Sequence, residues 1–285
     1  MSHKPLFLEI IKTWPSYYDH FDEGLGTTYE RFILHCYFDY LYNTYKVDSV
    51  IEVPSFGMTG VSGINSLWWS AKGITPVVVD NNAERLKLTK KVWNEIPLSV
   101  ELHEVNDFNQ LPFESASFDL SWNFANLWFV NNLDLFLNEL ARVTKKVIFL
   151  CIPNYYGIGY QIRDKLFDKN QNEFYPDHIK HKKFIPILEA QKWKVVKSGY
   201  FDIPPWPDIA MKKEELLKKL GLGFILKKKN GEVNNPKPLC IIDYFNGTKP
   251  DMEKEILKYA FLEKAPFPIK QLWGHHRYFI FEKGV

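Results

Sequence analysis

The stretch Val50-Ile51-Glu52-Val53-Pro54-Ser55-Phe56-Gly57-Met58-Thr59-Gly60 joins an apolar run to an acid and a glycine-containing turn. Residues 61–72 follow with apolar side chains at the spacing of one helix face, namely Ile64, Leu67, Trp68 and Ala71. Residues 76–80 then form a second apolar segment that ends on Asp80. A strand, a tight turn, a helix and a second strand ending on an acid are typical of a nucleotide-binding βαβ unit.

The two ends of this unit suggest what it binds. Glycines in the turn let backbone N–H groups face an anionic ligand at the helix N-terminus. A carboxylate after the second strand, here Asp80, can accept hydrogen bonds from ribose hydroxyls. The sequence therefore predicts a site for a nucleoside-containing ligand.

The rest of the chain continues the alternation of strands and helices. Further strands are predicted at 100–105, 117–123, 146–154, 193–201 and 277–282, and helices at 83–95, 133–144 and 182–191. We therefore predict an α/β fold, a doubly wound, Rossmann-like and mostly parallel seven-stranded sheet with helices on both faces. A helix from Thr27 or Thr28 to about Tyr45 precedes the first strand.

The predicted organisation has four parts. Residues 1–46 form an N-terminal helical cap, residues 47–205 the cofactor-binding core, residues 206–267 an insertion for a substrate or a partner, and residues 268–285 the last strand. Within the insertion a helix is predicted at 211–220 and a hairpin turn at Asn230-Gly231. Its lysine clusters indicate a solvated face, with membrane-surface docking as the alternative.

Composition limits the function classes. A net charge of +2 argues against a nucleic-acid partner. No run approaches the roughly 18 apolar residues of a membrane span, so no integral membrane association is expected. The three cysteines show no paired spacing, which indicates a reducing compartment and a cytoplasmic protein. With 22 Phe, 15 Tyr and 9 Trp, the chain has either a ring-rich core or an aromatic substrate pocket.

These elements resemble the class I S-adenosylmethionine-dependent methyltransferases over roughly residues 48–203 and the final strand. The most specific likeness is the passage Leu-Pro-Phe-Glu-Ser-Ala-Ser-Phe-Asp-Leu at 111–120, and Asn106-Asp107-Phe108 fits the place that addresses adenine. In that family the turn usually carries glycines where Pro54 and Phe56 stand here, and Phe56 is expected to narrow the pocket.

The resemblance implies methyl transfer from S-adenosylmethionine to a small-molecule substrate. The residues that it assigns to the cofactor are Glu52, Pro54, Ser55, Phe56, Gly57, Asp80, Asn81, Asp107, Phe108 and Asn123. We interpret Asp119 as a structural residue that fixes the backbone beside its strand. Tyr17, Tyr18 and Tyr29 are expected either to close over the cofactor or to pack in the core.

Catalytic groups and competing functions stay open. In-line methyl transfer needs alignment more than a base, so no catalytic residue is assigned, and His178 is a weak candidate for one. No metal is expected, since the histidines lack the spacing of a closed zinc site. The alternatives are a non-catalytic methyltransferase-fold binding or assembly subunit and, less favoured, an NAD(P)-dependent oxidoreductase. The oligomeric state is not predicted.

Overall fold

The computed structural model describes residues 14–18, 24–57, 61–164, 174–205 and 240–284. Its strands are β1 (Val50–Glu52), β2 (Val77–Asp80), β3 (Glu101–Glu104), β4 (Phe118–Phe124), β5 (Thr144–Pro153), β6 (Trp193–Phe201) and β7 (His276–Lys283). They form one sheet in the order β3-β2-β1-β4-β5-β7-β6. The first five pair in parallel, and β7 is antiparallel to both β5 and β6. The predicted seven-stranded, mostly parallel sheet is confirmed.

Both faces of the sheet are covered by helices. The helices are α1 (Gly24–Tyr45), α2 (Leu67–Ala71), α3 (Ala83–Trp93), α4 (Leu133–Val143), α5 (Ile158–Asp164), α6 (His181–Ala190), α7 (Ile241–Phe245), α8 (Met252–Leu257) and α9 (Phe267–Trp273). Alternate residues of β5 enter two separate apolar clusters: Phe149 packs with side chains of α1, α2 and α3, and Leu150 packs with side chains of α4 and α6. This alternation follows from the period of two in a strand and produces the doubly wound arrangement.

The first helix after β1 is shorter than the sequence predicts. A 3₁₀ turn, Ile64–Ser66, comes first, and α2 covers only Leu67–Ala71. Gly63 precedes the turn with φ +71, and a Cβ there would lie 2.7 Å from the Val78 Cγ1. The chain therefore passes too close over β2 for any other residue, and it enters the helix only after this contact.

The described part of the predicted insertion packs on the N-terminal helix. The rings of Phe32 in α1 and Tyr244 in α7 lie 5.1 Å apart, edge to face, and Met252 and Ile256 of α8 are buried in the same cluster. The predicted helix at 211–220 and the hairpin at 230–231 lie outside the described residues, and the division of the chain into four parts stays a prediction. The last part contains most of α9 as well as β7. None of the described helices has the length and apolarity needed to cross a membrane.

Candidate functional site

The predicted acids meet at the carboxyl edge of the sheet. Glu52 ends β1, Asp80 ends β2, and Asp107 follows β3 after a short connection. Asn123 is the second-to-last residue of β4, and it lies beside them because β4 pairs directly with β1. This edge is where open parallel sheets bind ligands, and the sequence identified it from the acids that end consecutive strands.

Glu52 is a buried acid, with 2% of its surface exposed. The Ser66 hydroxyl donates a hydrogen bond of 2.5 Å to its Oε2. Burial raises the pKa of Glu52 to about 8, against the opposing effects of Ser66 and of the nearby Arg31 guanidinium. The carboxyl group is therefore protonated at neutral pH, and a ligand cation at this position favours its ionisation.

Asp80 is fully buried and paired with an arginine that the sequence did not identify. The Arg85 Nε donates to both carboxylate oxygens at 3.1 and 3.0 Å, and the Arg85 NH2 group lies 2.5 Å from Oδ1. The Ser55 hydroxyl donates to Oδ2 at 3.1 Å, and the Asn82 backbone N–H donates to Oδ1 at 3.0 Å. A carboxylate has about four lone-pair positions, so Asp80 is saturated in this conformation.

Arg85 is held in place by aromatic rings and an amide. Its guanidinium carbon lies 4.1 Å from the centre of the Phe56 ring and 5.5 Å from that of Trp14, which are cation–π distances. Its NH2 group also donates to the Asn81 Oδ1 at 3.0 Å. The signal for this residue in the sequence is weak, since an arginine in the first turn of a helix is ordinarily a surface side chain.

The turn after β1 is pressed against the end of β4. A Cβ on Gly57 would lie 2.6 Å from the Phe124 carbonyl oxygen, so only glycine fits there. The side-chain amides of Asn123 and Asn126 donate to the carbonyl oxygens of Val53 and Pro54. The glycine that was assigned to the cofactor therefore also has a packing role.

A cavity of about 10 Å³ lies beside this turn, enough for about one water molecule. It is lined by Glu52, Ser55, Gly57, Val61, Ser62, Gly63, Asn65 and Phe124. The Tyr18 hydroxyl accepts a hydrogen bond from the Ser62 N–H at 3.2 Å, so this backbone donor near the start of α2 is already used. Tyr18 is 8% exposed, belongs to the apolar core and shares a hydrogen bond of 3.0 Å with the Thr89 hydroxyl, so it packs in the core, one of the two alternatives for the tyrosines.

The part of the edge that the sequence predicts to hold adenine, called the adenine side below, is open. A pocket of about 350 Å³ is lined by Phe56, Asn81, Asn82, Arg85, Asn106, Asp107, Phe108, Phe129, Asn131 and Tyr175. The Asp107 carboxylate is exposed and accepts the Asn109 N–H at 2.8 Å, which fixes its orientation. Phe108 is buried, with its ring 6.2 Å from that of Phe136, so it supports the pocket floor from the core side.

Two buried amide oxygens at the end of β4 have no hydrogen-bond partner among the described residues. They are the Oδ1 atoms of Asn123 and Asn126. Together with Glu52 they are acceptors of the kind that the ammonium group of S-adenosylmethionine needs. The residues present thus fit this cofactor in kind, whereas Asp80, the acid predicted to hold the ribose, is engaged by Arg85, and the cavity beside Gly57 measures about 10 Å³.

The other predicted residues lie elsewhere. His178 is half-buried and stacks on Tyr175 with ring centres 4.9 Å apart. It lines a pocket of about 670 Å³ that shares Asn131 and Tyr175 with the adenine side but no residue with the cavity at Glu52. Burial lowers the pKa of His178. It is therefore a neutral imidazole at neutral pH, beside the adenine pocket.

Asp119 has the structural role that the sequence predicts. Its Oδ2 accepts hydrogen bonds from the Asp48 backbone N–H at 3.0 Å and from the Lys146 Nζ at 2.9 Å. Tyr29 donates its hydroxyl hydrogen to the Glu263 Oε1 at 2.9 Å, which ties α1 to the turn that follows α8. Neither residue lines the pockets described above.

Residues 57–151 match a family described as a methyltransferase domain. No curated protein matches the sequence. Among solved structures, a methyltransferase dependent on S-adenosylmethionine from Methanosarcina mazei is 14% identical, with 86% of this chain and 97% of that chain covered and a TM-score of 0.48. A putative sarcosine dimethylglycine methyltransferase from Galdieria sulphuraria is 10% identical, with coverages of 88% and 84% and a TM-score of 0.48. Geranyl diphosphate C-methyltransferase from Streptomyces coelicolor, in a complex that includes S-adenosyl-L-homocysteine, is 11% identical, with coverages of 87% and 80% and a TM-score of 0.46.

Proposed function

We propose that the protein transfers a methyl group from S-adenosylmethionine to a small molecule, because residues 57–151 match a methyltransferase domain family. The observation that carries the proposal is the set of three acids, Glu52, Asp80 and Asp107, at the carboxyl edge of three neighbouring strands. We assign one part of the cofactor to each of them.

The proposed contacts divide the cofactor into three parts. Asp107 and Phe108 address the adenine in the pocket of about 350 Å³. Asp80 receives the ribose hydroxyls, with Ser55 and Asn81 beside it. Glu52 and Asn123 bind the ammonium group, while Pro54, Phe56 and Gly57 shape the turn around the methionine part. These last three residues set the shape of the turn and contribute no charge.

S-Adenosylmethionine, when bound, supplies an electrophilic methyl group on a sulfonium. The protein has to hold that methyl group in line with an acceptor and to exclude water, and alignment of this kind supplies on the order of 7–11 kcal/mol. A protein base is not required by this chemistry. His178 fits the role of base less well than the sequence suggests, because its pocket adjoins the adenine side rather than the cavity at Glu52.

A small acceptor is favoured over a macromolecular one by the covering of this edge. Tyr29 of α1 donates to Glu263, and the Glu263 Oε1 also accepts the Ile203 N–H at 2.6 Å just after β6. These bonds hold residues 260–264 against α1 and the segment that follows β6, at this edge of the sheet. All three cysteines are free, which supports a reducing, cytoplasmic setting.

One observation favours a second candidate function, a non-catalytic binding or assembly subunit with the methyltransferase fold. The saturated Asp80 and the cavity of about 10 Å³ at the turn are the state expected of a cofactor site that has become part of the core. The two candidates differ in one respect that is simple to measure, namely whether the cofactor displaces Arg85.

Isothermal titration of the full chain with S-adenosylhomocysteine tests the proposal. We expect saturable binding that Asp107→Ala weakens by about 5–30-fold, since an exposed charge-assisted contact is worth roughly 1–2 kcal/mol. Asp251→Ala is the control, because Asp251 is an exposed acid that lines none of the described pockets and makes no side-chain cap bond. NADH titrated in parallel should give no binding.

Absence of S-adenosylhomocysteine binding at millimolar concentration contradicts the proposal and favours the subunit. The subunit is also favoured if the protein binds the cofactor but forms no S-adenosylhomocysteine from S-adenosylmethionine with any member of a library of hydroxyl, amine and thiol acceptors. Turnover with any of these acceptors identifies the accepting atom.

A further inference from the structure

A second polar cluster lies at the same edge of the sheet, outside the proposed cofactor contacts. Its members are Glu30 from α1, Asp202 directly after β6, and His276 at the start of β7. They are separated by more than 70 positions in sequence, and all three are buried, with 5%, 2% and 8% of their surfaces exposed. No sequence spacing indicates this cluster, and the sequence analysis expected no metal site.

The side chains converge on one point. The His276 Nδ1 lies 3.3 Å from the Asp202 Oδ2 and 3.6 Å from the Glu30 Oε2. One potential ligand atom from each residue lies within 4.8 Å of the other two. The His276 Nδ1 is thus within hydrogen-bond distance of the Asp202 Oδ2 and within ion-pair distance of the Glu30 Oε2, so the imidazole faces both carboxylates.

The cluster is buried beside aromatic rings, so an ionised carboxylate there loses favourable hydration. Two carboxylates share a region whose other neighbours include the rings of Phe124 and Phe201, at 4.6 and 5.7 Å from the His276 ring. The Asp202 Oδ1 is buried and has no hydrogen-bond partner among the described residues. Buried carboxylates need a paired cation or a metal ion to offset their lost hydration.

The distances select the kind of ion. Zinc bonds to nitrogen and carboxylate oxygen of roughly 2.0–2.2 Å give tetrahedral ligand–ligand separations of about 3.3–3.6 Å, which matches the 3.3 and 3.6 Å found here. Magnesium bonds of about 2.0–2.1 Å in an octahedron need adjacent ligands only about 3 Å apart. An imidazole nitrogen beside two carboxylates also suits zinc better than magnesium.

The outer contacts are those of a metal ligand set. The His275 Nδ1 lies 2.9 Å from the Asp202 Oδ2 and orients that carboxylate, as partners of metal-bound carboxylates do. Asp202 itself has φ +58, a left-handed conformation that aspartate adopts more readily than most residues. The β5–β7 register pairs Pro153 with His276, which fixes the histidine at the carboxyl edge.

We propose that Glu30, Asp202 and His276 bind one divalent transition-metal ion, with zinc as the best fit. Three protein ligands leave one position for a water molecule or an oxygen of another ligand. Because His276 packs on Phe124, and Phe124 lines the cavity at Glu52, the ion lies one side chain away from that cavity.

The test uses the full chain, stripped with a chelator and carrying Cys36→Ser to remove the exposed thiol. Titration with zinc chloride should show one site per chain and a rise in Tm. Cobalt(II) should give a visible spectrum of nitrogen and oxygen ligation without the thiolate charge-transfer band. Asp202→Asn and His276→Gln should each weaken zinc binding by at least about 100-fold, since even an outer partner of a metal ligand is worth roughly 10–100-fold.

His103→Gln is the matched control, because His103 also lies beside an acid, Glu101, but on an exposed strand. It should leave zinc affinity unchanged. The proposal is overturned if the Cys36→Ser chain shows neither a heat of zinc binding nor a change in Tm, or if Asp202→Asn and His276→Gln retain the parental affinity. Should these two variants fail to fold, the zinc and cobalt titrations of the Cys36→Ser chain still decide.

Discussion

Replacing Arg85 by glutamine should destabilise the protein and at the same time tighten its binding of S-adenosylhomocysteine. The guanidinium contributes the contacts at 2.5, 3.0 and 3.1 Å to a carboxylate with no exposed surface. Without it, Asp80 keeps only the Ser55 hydroxyl and the Asn82 N–H as hydrogen-bond donors among those described. A ligand that offers two hydroxyls then meets an acceptor that is already available.

The magnitude follows from the burial of the pair. Removing one partner of a buried ion pair costs about 3–5 kcal/mol, because the other charge stays buried without compensation. For a chain of this size each kcal/mol lowers Tm by about 2 °C, so we expect a fall of roughly 6–10 °C. Because the pair no longer has to be broken on binding, the dissociation constant of S-adenosylhomocysteine should fall by about tenfold or more, which corresponds to 1.4 kcal/mol.

The assay is a double-mutant cycle with Asp80→Asn, Arg85→Gln and both together, read by thermal unfolding and by isothermal titration. The double variant replaces an ion pair by two amides, so its destabilisation should be smaller than the sum by at least about 2 kcal/mol. Lys87→Gln removes a positive charge two residues further along the same helix, at an exposed position, and should change neither quantity.

Two results refute this reasoning. Additive changes in unfolding free energy mean that Asp80 and Arg85 are not coupled as the distances imply. Weaker S-adenosylhomocysteine binding by Arg85→Gln means that the guanidinium contacts the ligand instead of competing with it.

Three further predictions concern stability and the turn. The folded state holds a proton on Glu52 between the ordinary pKa of 4.5 and about 8, so the free energy of unfolding falls as pH rises through this window. Chemical denaturation should show a fall on the order of 3 kcal/mol between pH 5.5 and 7.5, and Glu52→Gln should remove it. Gly57→Ala places a Cβ 2.6 Å from the Phe124 carbonyl oxygen and should lower Tm by several degrees and weaken S-adenosylhomocysteine binding, while retention of both means that the turn relaxes without cost. Asp119→Ala removes the acceptor of the hydrogen bonds from the Lys146 ammonium and the Asp48 N–H. It should lower the free energy of unfolding by roughly 1–3 kcal/mol and leave ligand affinity unchanged at a temperature where the variant is folded.

The sequence predicted most of the fold because the information is local. Apolar runs that end on acids mark parallel strands, and the spacing of apolar residues between them marks helices. Asp80 and Asp107 could be placed at the edge because Asp80 is the last residue of β2 and Asp107 follows β3 after a short connection. The resemblance to class I methyltransferases is confirmed by the family match, which spans Asp80, Asp107 and the passage at 111–120.

What could not be predicted depends on contacts between distant segments or on side-chain direction. Glu30, Asp202 and His276 meet only because β7 lies between β5 and β6 and α1 packs against these strands. Arg85 is close to Asp80 in sequence, but no periodicity distinguishes an arginine that bends back onto the strand end from one that extends into solvent. The same limit explains why Gly57 could be assigned a ligand role but not its approach to β4.

The departure of the turn from the family pattern and the pairing of Asp80 have one physical explanation. In the family a glycine usually stands at the position of Phe56; here its ring is 8% exposed and covers one face of the Arg85 guanidinium at 4.1 Å, with Trp14 at 5.5 Å. A glycine at 56 would leave a nearly buried cation without that ring, and its pairing with Asp80 would be less rigid. Phe56, Arg85 and Asp80 therefore act as a unit, and a ribose that binds Asp80 as proposed has to displace the guanidinium and disturb its stack on Phe56 in the same step.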